Sequence, residues 1–219
     1  MKILDVPQSG SQAGTTSSRN RFGQYRRTRA IPVNTNTAAQ QAVRARLESH
    51  GAAWRAITQA QRAGWIALGL QIQRTDSLGQ VYNLTGFQAY ASVNGNLLAS
   101  GEVRIAEAPA LSLPDSLLTL AVTTTGGTMS VAYTATPLAA DTHLMIFAGP
   151  QRSAGRGFEN DLRLIATTAA AAASPHNLLA AYSAKFGAPV VGNRIFVSAS
   201  TVLNGFQSLQ IATSVIVVA

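Results

Sequence analysis

The chain has 219 residues, with 17 Lys and Arg against 9 Asp and Glu, and it contains no cysteine. This length allows one or two domains, each able to bury a core. The absence of cysteine excludes a disulfide framework and a thiolate metal site, and a 12% charged content excludes a highly charged disordered chain. The three histidines, His50, His143 and His176, are far apart and lack the spacing of metal ligands.

The net positive charge lies in the first half of the chain. Residues 1–106 hold 12 basic and 4 acidic residues, whereas residues 107–219 hold 5 of each. Five arginines and two aromatic residues form a dense run, namely Arg19, Arg21, Phe22, Tyr25, Arg26, Arg27 and Arg29. Because guanidinium groups bind carboxylates and phosphates bidentately, this run predicts a contact with an acidic protein surface, nucleic acid or anionic lipid. The alternative is a solvated arm that only aids solubility.

Residues 1–36 are predicted to form an extended basic arm. Residues 9–18 are nearly all Gly, Ser, Thr, Gln and Ala, a composition that buries no core, and Pro32 disfavours helix at Ile31. Ordering a segment costs about 1 kcal/mol or more per residue in backbone entropy, so an ordered arm implies contacts with neighbouring subunits. Residues 1–5 lack a signal-peptide pattern, and no segment reaches the length of a membrane span. These features predict a protein of cytoplasmic origin.

Residues 37–106 are predicted to form three helices and a short hairpin. The capping-box pattern Thr-x-x-Gln occurs at Thr37, Thr58 and Thr85. Gly51 is a candidate interruption of the first helix and Gly101 a stop for the third. Residues 76–79 predict a turn whose flanks pair up to residue 82 or 84. The apolar faces of the three helices are Val43, Leu47 and Trp54; Trp65, Leu68 and Ile72; and Phe87, Tyr90, Val93 or Asn94, and Leu97. Trp54 and Trp65 are predicted to centre a small core.

Residues 107–219 are predicted to form an antiparallel β-sandwich after a linker at 101–113. Six segments are strand-like: 117–123, 129–135, 143–148, 162–167, 194–202 and 208–218. Residues 124–127 predict the first hairpin turn, and residues 176–186 predict a helix ended by Gly187. Short strands separated by turn signals are typical of a sandwich. The overall prediction is therefore an α+β multidomain chain with an arm (1–36), a three-helix unit (37–106) and a sandwich domain (107–219).

One group of residues within 9–100 carries a family resemblance: Arg21–Arg27, Pro32–Thr37, Gln41, Arg44, Trp54–Thr58, Gln61, Arg62, Trp65, Thr85–Phe87, Asn94 and Asn96. They resemble a family of uncharacterised phage and prophage proteins that share an arginine-rich arm, a Trp-x-x-Leu-Thr-x-x-Gln-Arg-x-x-Trp core and a closing helix ending in Asn. Ile57 stands here where Leu is usual, a volume-conserving change. The resemblance implies a structural role in a virion and carries over no catalytic residue.

Two further segments resemble known modules. Residues 44–70 are similar to an HMG box, although that module is lysine-rich and uses apolar wedges to bend DNA. Residues 111–218 resemble an immunoglobulin-like or fibronectin type III sandwich, with 192–197 and 205–208 in its last two strands. Tyr182 falls in a predicted helix, which does not suit the tyrosine corner of such folds.

The sequence offers no convincing chemical site. Glu159 and Asp161 are the only carboxylates close enough to act as an acid–base pair or metal site, and a solvated loop is the simpler interpretation. The glycines and arginines of residues 149–157 superficially suggest a phosphate cradle, but no Lys-Ser/Thr follows, so we interpret them as a sandwich loop. We therefore predict no enzyme activity, no catalytic residue, no cofactor, no metal and no small-molecule substrate.

The leading hypothesis is a structural component of a tailed-phage virion, assembled in the host cytoplasm. Its arm would bind other copies of the same protein and other virion proteins, and the seven residues of the arginine run would form the contact. The runner-up is an architectural DNA-binding protein that uses the arm and the helical unit. No membrane partner is expected.

Overall fold

The computed structural model describes residues 8–75, 79–125 and 127–218. The chain divides into two compact units, Met1–Ala45 and Arg46–Ala219. Over the described ranges it forms four helices and several antiparallel sheets, which confirms the α+β class. None of the helices in these ranges is long and apolar enough to cross a membrane. The division at 36/37 and 106/107 stays a prediction.

The first unit contains a three-stranded antiparallel sheet where the sequence predicted an extended arm. Its strands are β1 (Gly10–Gln12), β2 (Thr15–Asn20) and β3 (Gly23–Thr28), in the order β1-β2-β3. Gly23 closes the second turn at φ +116°, a conformation that glycine adopts without steric cost. The prediction of one extended segment is wrong here because Thr and Ser residues flanked by turns satisfy their backbone groups within a local meander.

Helix α1 (Ala38–Ala56) spans the boundary between the two units. The capping box at its start is confirmed, since the Gln40 amide donates to Thr37 Oγ1 at 3.3 Å and the Thr37 amide donates to Gln40 Oε1 at 3.1 Å. The helix continues through Gly51, so the predicted interruption is wrong, because one glycine costs only about 1 kcal/mol among good helix formers. The apolar face is also partly wrong, since Val43 and Leu47 are exposed.

Helices α2 (Gln59–Gln71) and α3 (Gly86–Ala99) follow the prediction closely. Each begins at a complete capping box, on Thr58 and Thr85 respectively. Gly101, at φ +84°, follows α3, and the Gly101 and Glu102 amides donate to the carbonyls of Leu98 and Leu97, which satisfies the last turn. Between the helices, β4 (Gln73–Thr75) and β5 (Val81–Asn83) form the predicted hairpin, while residues 76–78 of its turn lie outside the described residues.

Replacing Thr85 by alanine is expected to destabilise the protein by about 1 kcal/mol, because the N-terminal amides of α3 lose their side-chain acceptor. Equilibrium urea unfolding measures the change. Thr85→Ser keeps the hydroxyl and serves as the matched control, with stability close to that of the unchanged protein. Equal losses for alanine and serine would contradict the capping role.

A small core around Trp65 joins the helices to the chain that follows them. Trp65 and Tyr90 are fully buried and meet edge to face at 5.1 Å between ring centroids. The Trp65 indole Nε1 donates to the Ala106 carbonyl at 2.8 Å. Trp54 is partly buried and packs on Tyr90 at 5.3 Å. The prediction of two core tryptophans is therefore confirmed, with Trp65 at the centre.

The remaining residues form two antiparallel sheets and one helix. The connection before them, residues 102–118, contains no strand. The elements in chain order are β6 (Thr119–Thr125), β7 (Thr128–Thr134), β8 (Thr142–Ala148), β9 (Arg152–Ser153), β10 (Arg163–Thr167), β11 (His176–Asn177), α4 (Leu179–Phe186), β12 (Asn193–Leu203), β13 (Phe206–Gln207) and β14 (Ile211–Ile216). One sheet has the order β11-β7-β6 and the other β10-β8-β12-β13, with β14 and β9 also paired to β12.

Side chains from both sheets and from α4 form one hydrophobic core. Met129 and Val131 of β7, Leu144 and Ile146 of β8, Ile195 and Val197 of β12, and Tyr182 of α4 are all buried in it. Helix α4 begins three residues later than predicted because residues 176 and 177 pair with β7. The Tyr182 hydroxyl donates to the Gly149 carbonyl, a contact from a helix rather than from a sandwich strand.

Within the second unit, the β12–β13 turn packs against α3. A Cβ added to Gly205 would lie 2.6 Å from the Val93 carbonyl oxygen, so a side chain at this position would clash with α3. Gly205 also has φ +79°, a conformation that favours glycine. The Asn96 amide donates to the Gly205 carbonyl at 2.8 Å. Phe206 of β13 is buried in the helical core with Trp65. The sheets thus supply part of the core of the helices.

Candidate functional site

The arginine run predicted from the sequence lies on the N-terminal sheet. Residues that pair across an antiparallel ladder share a face, and the register joins Arg19 to Gln24 and Ser17 to Arg26. Arg19 and Arg26 therefore lie on one face, whereas Tyr25 and Arg27 lie on the other. Both faces of the sheet carry arginine, and the side chains of the five run arginines are exposed.

The turn between β2 and β3 presents Arg21 and Phe22. The Phe22 ring is 71% exposed, and the Arg21 guanidinium carbon lies 4.6 Å from its centroid, a cation–π arrangement. Asn20 fixes the turn because its side-chain oxygen accepts from the Phe22 amide at 2.9 Å. The sequence singled out Arg21 and Phe22 but missed Asn20, for which the Asn-x-x-Gly spacing of a tight hairpin was the available signal.

Arg29 comes just after β3 and closes the sheet through its backbone, since its amide donates to the Gly14 carbonyl at 2.8 Å. Farther along, Arg44 of α1 donates to the side-chain oxygens of Asn36 and Asn34 at 2.9 and 3.0 Å. These acceptors are neutral amides, so they orient the Arg44 guanidinium without cancelling its charge.

The described part of the first unit has no buried core. None of residues 8–45 is buried, and this range holds six arginines without an aspartate or glutamate. Three strands normally need a hydrophobic face or a packing partner for stability. Phe22 and Tyr25 are the aromatic side chains of this range, and Tyr25 is only half-buried. The sheet is therefore a cationic surface with two aromatic groups and little apolar cover of its own.

The loop of residues 149–162 is ordered by its own ion pair. Arg152 donates to Glu159 Oε2, and Glu159 Oε1 accepts from the Asn160 and Asp161 amides at 3.1 Å each. The Arg152 hydrogen bond, followed by the Asp161 amide, lowers the pKa of Glu159 from 4.5 to about 2. Asp161 in turn accepts from Arg163 at 2.8 Å. The two carboxylates thus form internal contacts of this loop.

Acid is expected to weaken this loop through Glu159. Because the folded-state pKa is depressed, the stability that Glu159 contributes is complete above pH 4.5 and is lost as the pH falls toward 2. Thermal unfolding between pH 5 and pH 2 measures this loss. The Glu159→Gln variant is expected to have a lower midpoint of thermal unfolding at pH 5 than the unchanged protein. Its midpoint should also change less between pH 5 and pH 2. Glu48→Gln, at an exposed carboxylate, is the control. If the unfolding midpoint of Glu159→Gln fell with pH as steeply as that of the unchanged protein, Glu159 would not be the source of the acid sensitivity.

The histidines and carboxylates of the described ranges form no group of three or more that could hold a metal ion. His143 is buried, with Nδ1 3.0 Å from the Thr168 carbonyl oxygen and Nε2 3.2 Å from Glu102 Oε1. It therefore connects the end of the helical segment to β8. Neither the protein-family models nor the curated proteins give a match to this chain.

Proposed function

We propose that the chain is a non-enzymatic structural protein of a tailed-phage virion, held in the capsid, neck or tail through its N-terminal sheet. The observation that carries the proposal is the absence of any buried residue in the described range 8–45. A sheet in which no described residue is buried gains stability by packing against another molecule. The resemblance of residues 9–100 to phage and prophage proteins points to the particle as the place where such a partner is found.

The partner surface would be acidic with apolar pockets. Arg19 and Arg26 on one face and Arg27 on the other can each form bidentate pairs with carboxylates. Phe22 and Tyr25 would supply aromatic anchors, the residue type that dominates interface energies. Since arginine lies on both faces, the sheet suits a position between two subunits, either copies of this chain or other virion proteins.

The body of the protein would be a fibronectin type III or immunoglobulin-like sandwich. The connections β7 to β8, β10 to β11 and β11 to β12 each cross from one sheet to the other. Greek-key connections of such sandwiches also cross between two antiparallel sheets that share a core, which supports this part of the proposal. In this arrangement the sandwich would project from the particle or pack laterally, while the N-terminal sheet anchors it.

Particle incorporation tests the proposal. Changing the five run arginines to glutamine in the full chain is expected to reduce the copies per particle by at least roughly tenfold, since several charge-assisted bonds are lost together. The matched variant with five lysines keeps the charge but not the bidentate fork, and its incorporation should be intermediate. Deletion of residues 1–30 should abolish incorporation. Normal occupancy of the deleted protein would contradict the proposal.

A second candidate function is architectural DNA binding, which the exposed Phe22 in an arginine-flanked turn favours. Two-stranded ribbons enter DNA grooves, and apolar side chains are used as wedges between base pairs. Gel retardation of duplex DNA at two ionic strengths separates the candidates. DNA binding predicts retardation at low salt that falls steeply as salt rises, whereas no retardation at low salt eliminates this function.

A further inference from the structure

A groove in the second unit lies where the end of α2, β4, α3 and β13 meet, and it has a volume of about 440 Å³. That volume falls within the range of roughly 300–1,000 Å³ that is typical of ligand sites. Val93 of α3 and Phe206 of β13 are buried and form part of its lining. Three further apolar lining residues are 39–81% exposed, namely Leu111, Leu113 and Leu209. Exposed apolar side chains gathered at a groove are typical of an interaction site.

The strand β13 borders this groove with an unpaired edge. Its register with β12 joins Val202 to Gln207, and the next pair is hydrogen-bonded, since the Ser208 amide donates to the Thr201 carbonyl at 3.0 Å. Bonded and non-bonded pairs alternate along an antiparallel ladder, so the backbone N–H and C=O of Gln207 face away from β12. Within the described ranges β13 has no second strand partner. These two groups are therefore free to pair with another strand.

The strand β4 borders the same groove in the same way. Its register joins Gln73 to Asn83, and the neighbouring pair is bonded, since the Leu84 amide donates to the Ile72 carbonyl at 3.2 Å. The backbone N–H and C=O of Gln73 therefore face away from β5. Gln73 and Gln207 both line the groove. Two free strand edges thus border one partly apolar groove.

The charge of the groove indicates what it would bind. Among the described residues that line it, Arg74 is the single charged one, and it is exposed. Its guanidinium has no hydrogen-bond or ion-pair partner in the described part of the chain. A guanidinium group binds a carboxylate bidentately. The chain itself carries a net charge of +8, so electrostatic complementarity favours an acidic partner over a second copy of this protein.

We propose that the groove binds an extended, acidic segment of another polypeptide, which adds as a strand to the free edge of β13. The backbone of the segment pairs with Gln207, and Gln73 offers a further N–H and C=O at the same groove. An aliphatic side chain of the segment packs on Val93 and Phe206, while a carboxylate binds Arg74. The groove belongs to the second unit, so this inference does not rest on the proposed function of the N-terminal sheet.

The test uses the full-length protein and fluorescein-labelled synthetic peptides of about six residues, the usual length of a strand. In each peptide threonine alternates with leucine or valine, and one position carries glutamate, glutamine or lysine. Fluorescence anisotropy measures binding. We expect the glutamate peptides to bind saturably, the glutamine peptides about tenfold more weakly, and the lysine peptides more weakly still. Methylation of the backbone amides of a glutamate peptide should remove binding, because the methyl groups replace the N–H donors that pair with a sheet edge.

Variants at Arg74 test the carboxylate contact. Arg74→Gln is expected to weaken binding of the glutamate peptides by about tenfold and to leave that of the glutamine peptides unchanged. Arg55→Gln is the matched control, because Arg55 of α1 is also exposed and lies outside the groove. Its affinity for every peptide should equal that of the unchanged protein.

Variants at Gln207 test the strand pairing. Gln207→Pro removes the outward N–H without removing a ladder bond, and we expect binding to weaken by about tenfold or more. Gln207→Ala is the control, since both substitutions lose the side-chain bond to Ser200 Oγ at 2.6 Å but alanine keeps the N–H. Should Gln207→Pro fail to fold, Gln73→Pro and Gln73→Ala repeat the comparison on β4.

Three results would overturn the proposal. The first is that no peptide binds saturably, and the second is that lysine peptides bind as tightly as glutamate peptides. The third is that the proline and alanine variants have equal affinities. Analytical ultracentrifugation of the unchanged protein examines occupation by a second copy, and self-association that Gln207→Pro abolishes would also overturn the assignment to an acidic partner.

Discussion

Replacing Trp65 by alanine is expected to lower the free energy of unfolding by about 3–5 kcal/mol, the range for truncating a large buried aromatic side chain. Trp65 has no exposed surface and sits at the centre of the helical core. The substitution also leaves the Ala106 carbonyl without the indole donor that reaches it at 2.8 Å. Urea unfolding followed by far-UV circular dichroism measures the loss.

Two variants separate packing from hydrogen bonding at this position. Trp65→Phe keeps an aromatic ring but removes the indole N–H, and we expect a loss of about 1–3 kcal/mol. Trp54→Ala, at the partly buried tryptophan, should cost less than Trp65→Ala. A Trp54 loss equal to or larger than that of Trp65 would contradict the position of Trp65 at the core centre.

Replacing Phe206 by alanine is expected to cost about 3–5 kcal/mol and to loosen the helices as well as the sheet. Phe206 belongs to β13, yet its ring is buried with Trp65, Tyr90 and Leu97. Because both tryptophans of the chain lie in the helical segment, their fluorescence reports on the helices, and circular dichroism reports on the whole protein. The unchanged protein should show coincident transitions with the two probes.

The control for Phe206 is the same substitution at an exposed phenylalanine. Phe158 is 64% exposed, in the loop that follows β9, so Phe158→Ala should change stability by no more than about 0.5 kcal/mol. Comparable losses for Phe158 and Phe206 would show that burial in the helical core does not explain the effect. An unchanged tryptophan transition in Phe206→Ala would show that the sheet and the helices are not coupled.

Local signals predicted the helices and most of the strands well. All three capping boxes are present because a Gln three positions after a Thr lets the two residues satisfy each other's backbone amides at the start of a helix. Gly101 and Gly187 end their helices at positive φ, as glycine after a helix commonly does. Burial of Trp65, Leu68 and Tyr90 followed from their helical spacing.

The predictions that failed concern segments whose structure is determined by contacts with distant parts of the chain, or by the lack of such contacts. Val43 and Leu47 have the spacing of a core face, but both side chains are exposed. The spacing alone did not show that only the second half of α1 packs against the rest of the protein. The N-terminal meander was missed because its strands have no apolar alternation, which is the usual signal of a half-buried strand. The short strands β9 and β11 depend on partners far away in the sequence.

The candidate site was predictable in composition but not in arrangement. The sequence identified all seven residues of the run, because clustered arginine is visible without structure. Their division between two faces and a turn depends on the strand register. The contact between Arg104 and Ser49 was not predictable, since the chain between these residues passes through two helices and a hairpin before it returns to α1.

Amide hydrogen exchange of residues 10–28 tests most directly whether other polypeptides hold the N-terminal sheet. The isolated protein should exchange these amides rapidly, since they lie in a sheet without a buried core. In assembled particles the same amides should be protected by at least on the order of tenfold, while the β12 amides exchange slowly in both states. Equal and strong protection of residues 10–28 in the isolated monomer would contradict the account.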